Sequence, residues 1–495
     1  MKSYLSLFLG TRRLERALFI CLAEALYSLV GLSPVSAAER PNIVFMMADD
    51  HTSQAWSCYG GRLAAIAKTP NIDRLAAEGA LLKNCFCVNS ICVPSRASIL
   101  TGQYSHRNGV KTLRDALPPT SDNVAKRLQQ AGYQTALVGK WHLKDEPAGF
   151  DYWNVIKGQG RYHEPILFEM DLEKGEVQEG GYSTDVFTDK ALGWLDSREE
   201  DKPFCLMLHF KATHEPWNFH PRHAALFDGV EIPAPETLFG HTGPANSRVP
   251  GWPLEILTER MSASGRHGAG KLEVSSSDPM EIRGQSYQKF IKDFLRCGAA
   301  IDENIGRVLD YLNAHQLTEN TIVVYTSDQG YFLGEHNYFD KRFMLEESLR
   351  MPFVVRYPKE IAPHTVVKDM VLNVDFAQTF LDYAGGEASP SMQGKSFRGV
   401  LAGKTPPNWR SSMYYRYFEN SEPRPSHFGI RTKQHKLIYY DGLANVGDSQ
   451  RWEFYDLEKD PYENTNQYDA VAGSGLIRDL KGQLSRLQTE ADDRP

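Results

Sequence analysis

Positive charge is in short supply in this sequence: 55 lysines and arginines against 62 acids leave a formal charge of −7 over 495 residues. That balance excludes nucleic acid as the main partner. Affinity for an anionic substrate would have to come from a local group of cations or from a metal ion. Long apolar runs are equally scarce. Beyond residue 32 no segment is apolar for long enough to span a bilayer, which excludes stable membrane insertion of the mature chain. Cysteines number only seven, and the Cys85-x-Cys87 pair is too tight for a zinc knuckle, with no second pair at zinc-site distance. No internal repeat or low-complexity tract is present.

What is there begins with an export leader. Lys2, Arg12, Arg13 and Arg16 precede "ALFICLAEALYSLVGL" (17–32), which is apolar apart from Glu24, and "SPVSAAE" supplies small residues for cleavage near Ala37 or Ala38. This predicts a signal peptide over 1–38 and a periplasmic or secreted protein. A retained anchor is the competing reading, against which stand the short run and its helix-breaking end. Cys21 lacks a small residue before it, which argues against a lipoprotein. Six cysteines remain after cleavage: Cys58, Cys85, Cys87, Cys92, Cys205 and Cys297. An exported protein can pair some of them, and the spacing does not say which.

From residue 41 strand-like and helix-like segments alternate. "PNIVFMMADD" is an apolar strand ending in two acids, and "TPNIDRLAAEG" a short helix capped by Thr69 or Asn71. "NVAKRLQQAGYQTALVGKWH" reads as helix, turn and strand. "FCLMLHF" (204–210), a helix from Tyr287 to His315 and the strand "TIVVYTSDQG" continue the pattern. Continuous apolar strands separated by helices predict an α/β fold with a large, mainly parallel sheet covered on both faces. The Gly-, Ser- and Pro-rich segment from Gly240 to Pro279 reads as a surface insertion on a substrate rim. After Gly386 short aromatic strands ("MYYRYF", "FGIRT", "HKLIYYD", "RWEFYDLE") and a helix over Leu476–Thr489 predict a smaller antiparallel subdomain. The expected division is therefore a leader over 1–38, a catalytic domain over 39–385 and a C-terminal subdomain over 386–495.

Open sheets of this kind bind ligands at the carboxyl ends of their strands. Four such ends carry polar residues: Asp49-Asp50, Lys140 with His142, His214, and Asp328-Gln329. Three carboxylates and an amide oxygen suit a hard divalent cation such as calcium or magnesium; capping of the following turns is the alternative. Lysines at such ends, with Lys341 in "YFDKRFMLEES", suit a sulfate- or phosphate-type oxyanion, and histidines there can move protons. Cys92 opens a helix in "CVPSRASILTG", where unpaired N–H groups favour an anion, with Pro94 in the first turn and Arg96 one turn on. A thiolate nucleophile and a structural or disulfide-bonded cysteine both fit that position.

These motifs resemble those of the type I sulfatase family, within the alkaline-phosphatase-like superfamily. The resemblance runs from "PNIVFMMADD" to "FYDLEKDPYENTN" and centres on Cys92-Val93-Pro94-Ser95-Arg96 followed by "ASILTG", with "GKWH", "TSDQG" and "FDKR" in order. It implies that Cys92 is converted to formylglycine by a separate formylglycine-generating enzyme, and that the hydrated aldehyde is the nucleophile. It further implies that Asp49, Asp50, Asp328, Gln329 and modified residue 92 ligate calcium, and that Arg96 steadies the hydrate. Lys140 and Lys341 would hold the sulfate, His142 would assist breakdown of the sulfated intermediate, and His214 would protonate the leaving alcohol. Many family members carry Asn where Gln329 stands.

"TSDQGYFLGEHNYFDKR" and "KATHEPW" are most similar to exported bacterial glycan sulfatases of the N-acetylglucosamine-6-O-sulfatase-like group, related to iduronate-2-sulfatases. A sulfated glycan, with 6-O-sulfated N-acetylglucosamine first, is the implied substrate. His51, His163, Trp217, His336 and Asn337 lie near the motifs as candidate sugar contacts or structural residues. Two rival readings share these features: a phosphate or phosphonate ester hydrolase on the same fold, and a non-catalytic glycan-binding relative.

Overall fold

The computed structural model describes residues 40–240, 253–263, 270–421 and 423–493, so the leader expected over 1–38 lies outside the described residues. The main sheet holds ten strands: β1 (Asn42–Asp49), β2 (Ala80–Leu82), β3 (Gln134–Lys140), β4 (Tyr152–Ile156), β5 (Ile166–Glu169), β6 (Gly175–Val177), β7 (Phe204–Thr213), β8 (Thr321–Ser327), β9 (Phe353–Arg356) and β10 (Thr365–Val367). Their order across the sheet is β10–β2–β9–β8–β1–β7–β3–β4–β5–β6. The central run β8–β1–β7–β3–β4 is parallel, as the sequence predicts. Antiparallel pairing is confined to β9 on one side and to β5 and β6 on the other.

Why β1 reads as an unbroken apolar run is visible in its burial. Every residue of it is buried, with Val44, Met46 and Ala48 in one core and Ile43, Phe45 and Met47 in the other. A strand covered on both faces has no solvent face to make polar. On the first face lie α1 (Pro70–Ala77), α4 (Ser183–Ser197), α5 (Leu254–Ala263) and α6 (Pro279–Ala314); on the second lie α2 (Cys92–Thr101), α3 (Val124–Gln130) and α7 (Asp375–Ala384).

The structure corrects several expectations. Helix α6 starts at Pro279, eight residues before Tyr287, because Asp278 accepts from Met280 N (2.9 Å) and Pro279 suits the first turn. The segment expected to be a surface insertion contains α5, whose Leu254, Leu257 and Met261 are buried in the first core. Neither Thr69 nor Asn71 caps α1 with its side chain. That role falls to Asp302 of α6, whose carboxylate accepts from Asn71 N (3.1 Å) and Ile72 N (2.9 Å) and so joins the two helices. None of the six cysteines among the described residues is paired.

The C-terminal part forms a four-stranded antiparallel sheet, β11 (Ser412–Tyr417), β12 (His427–Thr432), β13 (His435–Tyr439) and β14 (Trp452–Asp456), in that order. One face packs on α8 (Gly475–Ala491) through Ile430, Leu437 and Phe454. The other packs through Met413, Tyr415 and Ile438 on Phe343, Met344 and Leu345, just after Lys341. Buried charge fastens this seam. Lys436 Nζ lies 2.5 Å from Glu463 Oε1 and 3.1 Å from Glu346 Oε1, both lysine and Glu463 wholly inaccessible. Glu463 Oε2 accepts from Glu346 N (2.7 Å), and Arg431 also reaches Glu346.

Candidate active site

Five segments meet at the carboxyl edge of the parallel run. β1 delivers Asp49 and Asp50, β8 delivers Asp328 and Gln329, β3 delivers Lys140, β7 runs on to His214, and α2 presents Cys92 at its first turn. Carboxylate oxygens of Asp49, Asp50 and Asp328 all lie within 4.8 Å of one another, and so do the ligand atoms of Asp49, Cys92 and His214. Gly139 makes the approach of β3 to β7 possible. It sits at φ +101°, and a Cβ there would lie 2.0 Å from the His209 carbonyl oxygen.

Every charge in the cluster has a counter-charge. Lys140 Nζ donates to Asp49 Oδ2, and Lys341 Nζ donates to both oxygens of Asp50 at 2.6 Å. Arg96 is buried; its Nε donates to Asp328 Oδ2 and its Nη1 to the Lys140 carbonyl, both at 2.9 Å, while Nη2 lies 4.0 Å from Asp49 Oδ1. The arginine expected to steady residue 92 holds Asp328 and the end of β3. Lys341 stands between Asp340 and Arg342, at φ +102° and +89°. Non-glycine residues in that region are strained, and such strain gathers at functional sites.

The acids differ in their electrostatics. Burial, followed by the Asp49 charge, pushes the Asp328 carboxyl up, and burial also raises Asp50 against the pull of Lys341. Asp49 is held well below the usual carboxylate range: burial opposes ionisation there, but Lys140 and further cations outweigh it. Burial drives both His142 and His214 toward the neutral form. His214 Nδ1 donates to the Glu215 carbonyl (2.8 Å), which turns Nε2 toward Asp50 Oδ2, 3.8 Å away. His142 follows Lys140 by two residues with its backbone at φ +61°. The Cys92 thiol is 1% exposed and burial pushes it well up, the opposite of what a thiolate nucleophile requires.

A hard cation fits this donor set. All four side chains offer oxygen, and two of those oxygens, Asp49 Oδ1 and Gln329 Oε1, are buried without a hydrogen-bond partner. An unpaired buried acceptor is costly unless something positive faces it. Three like-charged carboxylates packed together call for the same thing.

Among the five candidate sugar contacts, only His163 is exposed. Trp217 is buried against Phe290 (4.7 Å between rings), His51 donates or accepts at Tyr325 Oη (2.6 Å), and His336 and Asn337 are buried, the latter bonded to Glu255 (3.2 Å). These four belong to the core. Two residues went unnoticed in the sequence. Gln159 accepts from Lys140 Nζ (2.6 Å), and Lys211 is a buried ammonium 4.6 Å above the Tyr162 ring, lowered to about 8 by burial. A glycine-flanked glutamine in a loop carries no sequence signature, whereas a lysine inside "FCLMLHFKAT" breaks an apolar run and stands out once noticed.

Comparison with known proteins bears on this arrangement. The sulfatase family profile matches residues 41–386, and that of the N-sulphoglucosamine sulphohydrolase C-terminal region matches residues 334–490. The chain is 41% identical to the N-acetylglucosamine-6-O-sulfatase of Bacteroides thetaiotaomicron over 92% of its own length and 87% of that protein. A solved structure in complex with its substrate D-glucosamine-2-N,6-O-disulfate superposes with a TM-score of 0.81 at 40% identity, covering 92% of this chain and 99% of that one. The phosphonate monoester hydrolase of Silicibacter pomeroyi shares the fold, with a TM-score of 0.72 at 20% identity over 92% of this chain and 96% of that one.

Proposed function

The chain belongs to the sulfatase family and is a sulfuric ester hydrolase, and on that premise we propose that it removes the 6-O-sulfate of glucosamine units in a sulfated glycan. The relative that acts as an N-acetylglucosamine-6-O-sulfatase supports this substrate class. The observation that carries the site assignment is that carboxylate oxygens of Asp49, Asp50 and Asp328 lie within 4.8 Å of one another, with Cys92 beside Asp49, Gln329 on Asp50, Lys140 on Asp49 and Lys341 on Asp50. In this reading position 92 is formylglycine, made from Cys92 by a separate enzyme. The leader over 1–38 sends the protein out of the cytoplasm, and residues 386–495 form a subdomain that closes the site.

The chemistry follows from the charges. Three carboxylates face three cations, Lys140, Lys341 and Arg96, so the cluster alone is close to neutral. Calcium held by the four oxygen donors would make it net positive and polarise a sulfate oxygen. Hydrated formylglycine would supply one hydroxyl to attack sulfur and a second whose deprotonation expels sulfate. Around these groups the chain does the rest. Lys140 and Lys341, both buried, would balance charge on the sulfate oxygens. Arg96 keeps Asp328 and the end of β3 in place. His214 Nε2, with Nδ1 tied to the Glu215 carbonyl, faces the place where the leaving oxygen needs a proton, and the negative ester favours its protonated form. His142 stands on the Lys140 side for the second step.

Two measurements test this. Peptide mapping should show the Cys92 peptide lighter by the loss of sulfur and two hydrogens against the gain of one oxygen, and resistant to alkylation. Defined sulfated saccharides should then be turned over with 6-O-sulfated N-acetylglucosamine preferred, and an aryl phosphonate turned over faster than any sulfate would overturn the assignment.

A further inference from the structure

A lysine ammonium has three N–H donors on a flexible stem, and its usefulness to an oxyanion depends on where the last of them points. Lys140 Nζ, wholly buried, gives one hydrogen to Asp49 Oδ2 and a second to Gln159 Oε1 at 2.6 Å. With two of three tetrahedral directions fixed, the third is fixed as well. Gln159 reaches this position because the loop after β4 turns through Gly158 and Gly160, at φ +56° and +60°. At Gly160 a Cβ would lie 2.5 Å from Ile156 Cδ1, so the loop is folded tightly onto its own strand.

We propose that Gln159 is a positioning residue for the sulfatase reaction, holding the Lys140 ammonium so that its remaining N–H faces the sulfate. The inference rests on the reading of Lys140 as a sulfate-binding group. The choice of an amide matters. Its carbonyl holds the ammonium without cancelling the charge, whereas a carboxylate in the same place would hold it and neutralise it. Asp49 alone would leave Nζ free to swing about one contact. A displacement of the order of 1 Å at a reacting group lowers turnover by about a hundredfold.

The test compares Gln159→Ala, Gln159→Glu and Lys140→Ala with the parent enzyme, all with equal modification at position 92 and equal thermal midpoints. Steady-state turnover of 6-O-sulfated N-acetylglucosamine and inhibition by inorganic sulfate are read on each. Gln159→Ala should lower kcat/KM by about ten- to a hundredfold, and Gln159→Glu should lower it further while weakening sulfate inhibition. In the Lys140→Ala background Gln159→Ala should cost almost nothing more, since groups that act through one contact are not additive. If both Gln159 variants stay within twofold of the parent, or their losses add in full to that of Lys140→Ala, the inference is wrong. If Lys140→Ala itself leaves turnover and sulfate inhibition unchanged, the assignment of Lys140 is at fault instead.

Discussion

The seam that holds the C-terminal sheet against the Lys341 loop makes a quantitative prediction about Lys436→Met. Methionine fills a similar volume, so the change is chiefly one of charge. It leaves the Glu463 carboxylate, wholly inaccessible, with Glu346 N as its remaining partner and the like charge of Glu346 nearby. In the parent protein burial raises this carboxyl from an ordinary 4.5 to about 7, with Lys436 pulling it back down. A carboxyl raised by folding lends stability that is fully present below its unfolded value and lost as pH climbs through the folded one. Below pH 5 Glu463 is protonated in both proteins, and the substitution costs only the Lys436 contact to Glu346, which Arg431 and Arg350 still neutralise. Above pH 7 the parent ionises it against Lys436, whereas the variant must keep it protonated. Each further pH unit then costs the variant up to about 1.4 kcal/mol relative to the parent, or roughly 2.7 kcal/mol by pH 9. Urea midpoints of both proteins at pH 5, 7 and 9, with metal held constant, measure this directly. A difference that does not change with pH would refute the argument, as would one that shrinks as pH rises.

Four other outcomes follow from the geometry. Chelation should abolish hydrolysis and lower the thermal midpoint, and calcium should restore both; at a hundredfold excess over its Kd a bound ion adds about 2.7 kcal/mol. In Asp328→Asn the midpoint should no longer respond to calcium, and an unaltered response would remove Asp328 from the ligand set. Asp302→Ala strips the cap from α1 and should lower stability by about 1–2 kcal/mol with kcat unchanged, read from urea midpoints and turnover together. Trp217→Phe should alter stability but leave KM for a sulfated sugar within twofold, because Trp217 packs inside the core; a large KM increase would return it to the sugar site.

The parallel sheet and most of the site were legible because both leave marks along the chain. A strand buried on both faces must be apolar throughout, so the residues that interrupt it at its end are conspicuous: Asp49, Lys140, His214 and Asp328 all announce themselves this way. Features decided by distant neighbours leave no such mark. Thr69 has the composition of a cap, yet the group that meets the free N–H groups comes from Asp302, 230 residues beyond Ile72. Helix α5 was hidden because Gly, Ser and Pro around it outweigh three apolar residues at helical spacing. His51 and Trp217 stand beside motif residues in the chain, but the sheet edge turns their side chains inward, onto Tyr325 and Phe290.

The depth of Cys92 also sets an order of events. Residue 92 is 1% exposed, and its sulfur lies within 4.8 Å of ligand atoms of Asp49 and His214, with β8 and the Lys341 loop folded around the same cluster. A side chain this deeply buried presents no surface to another protein's catalytic groups. Any enzymatic editing of this residue therefore belongs to the interval before β8 and the Lys341 loop come down. The finished fold is a lock on that chemistry: a chain that closes unedited stays so until it unfolds again.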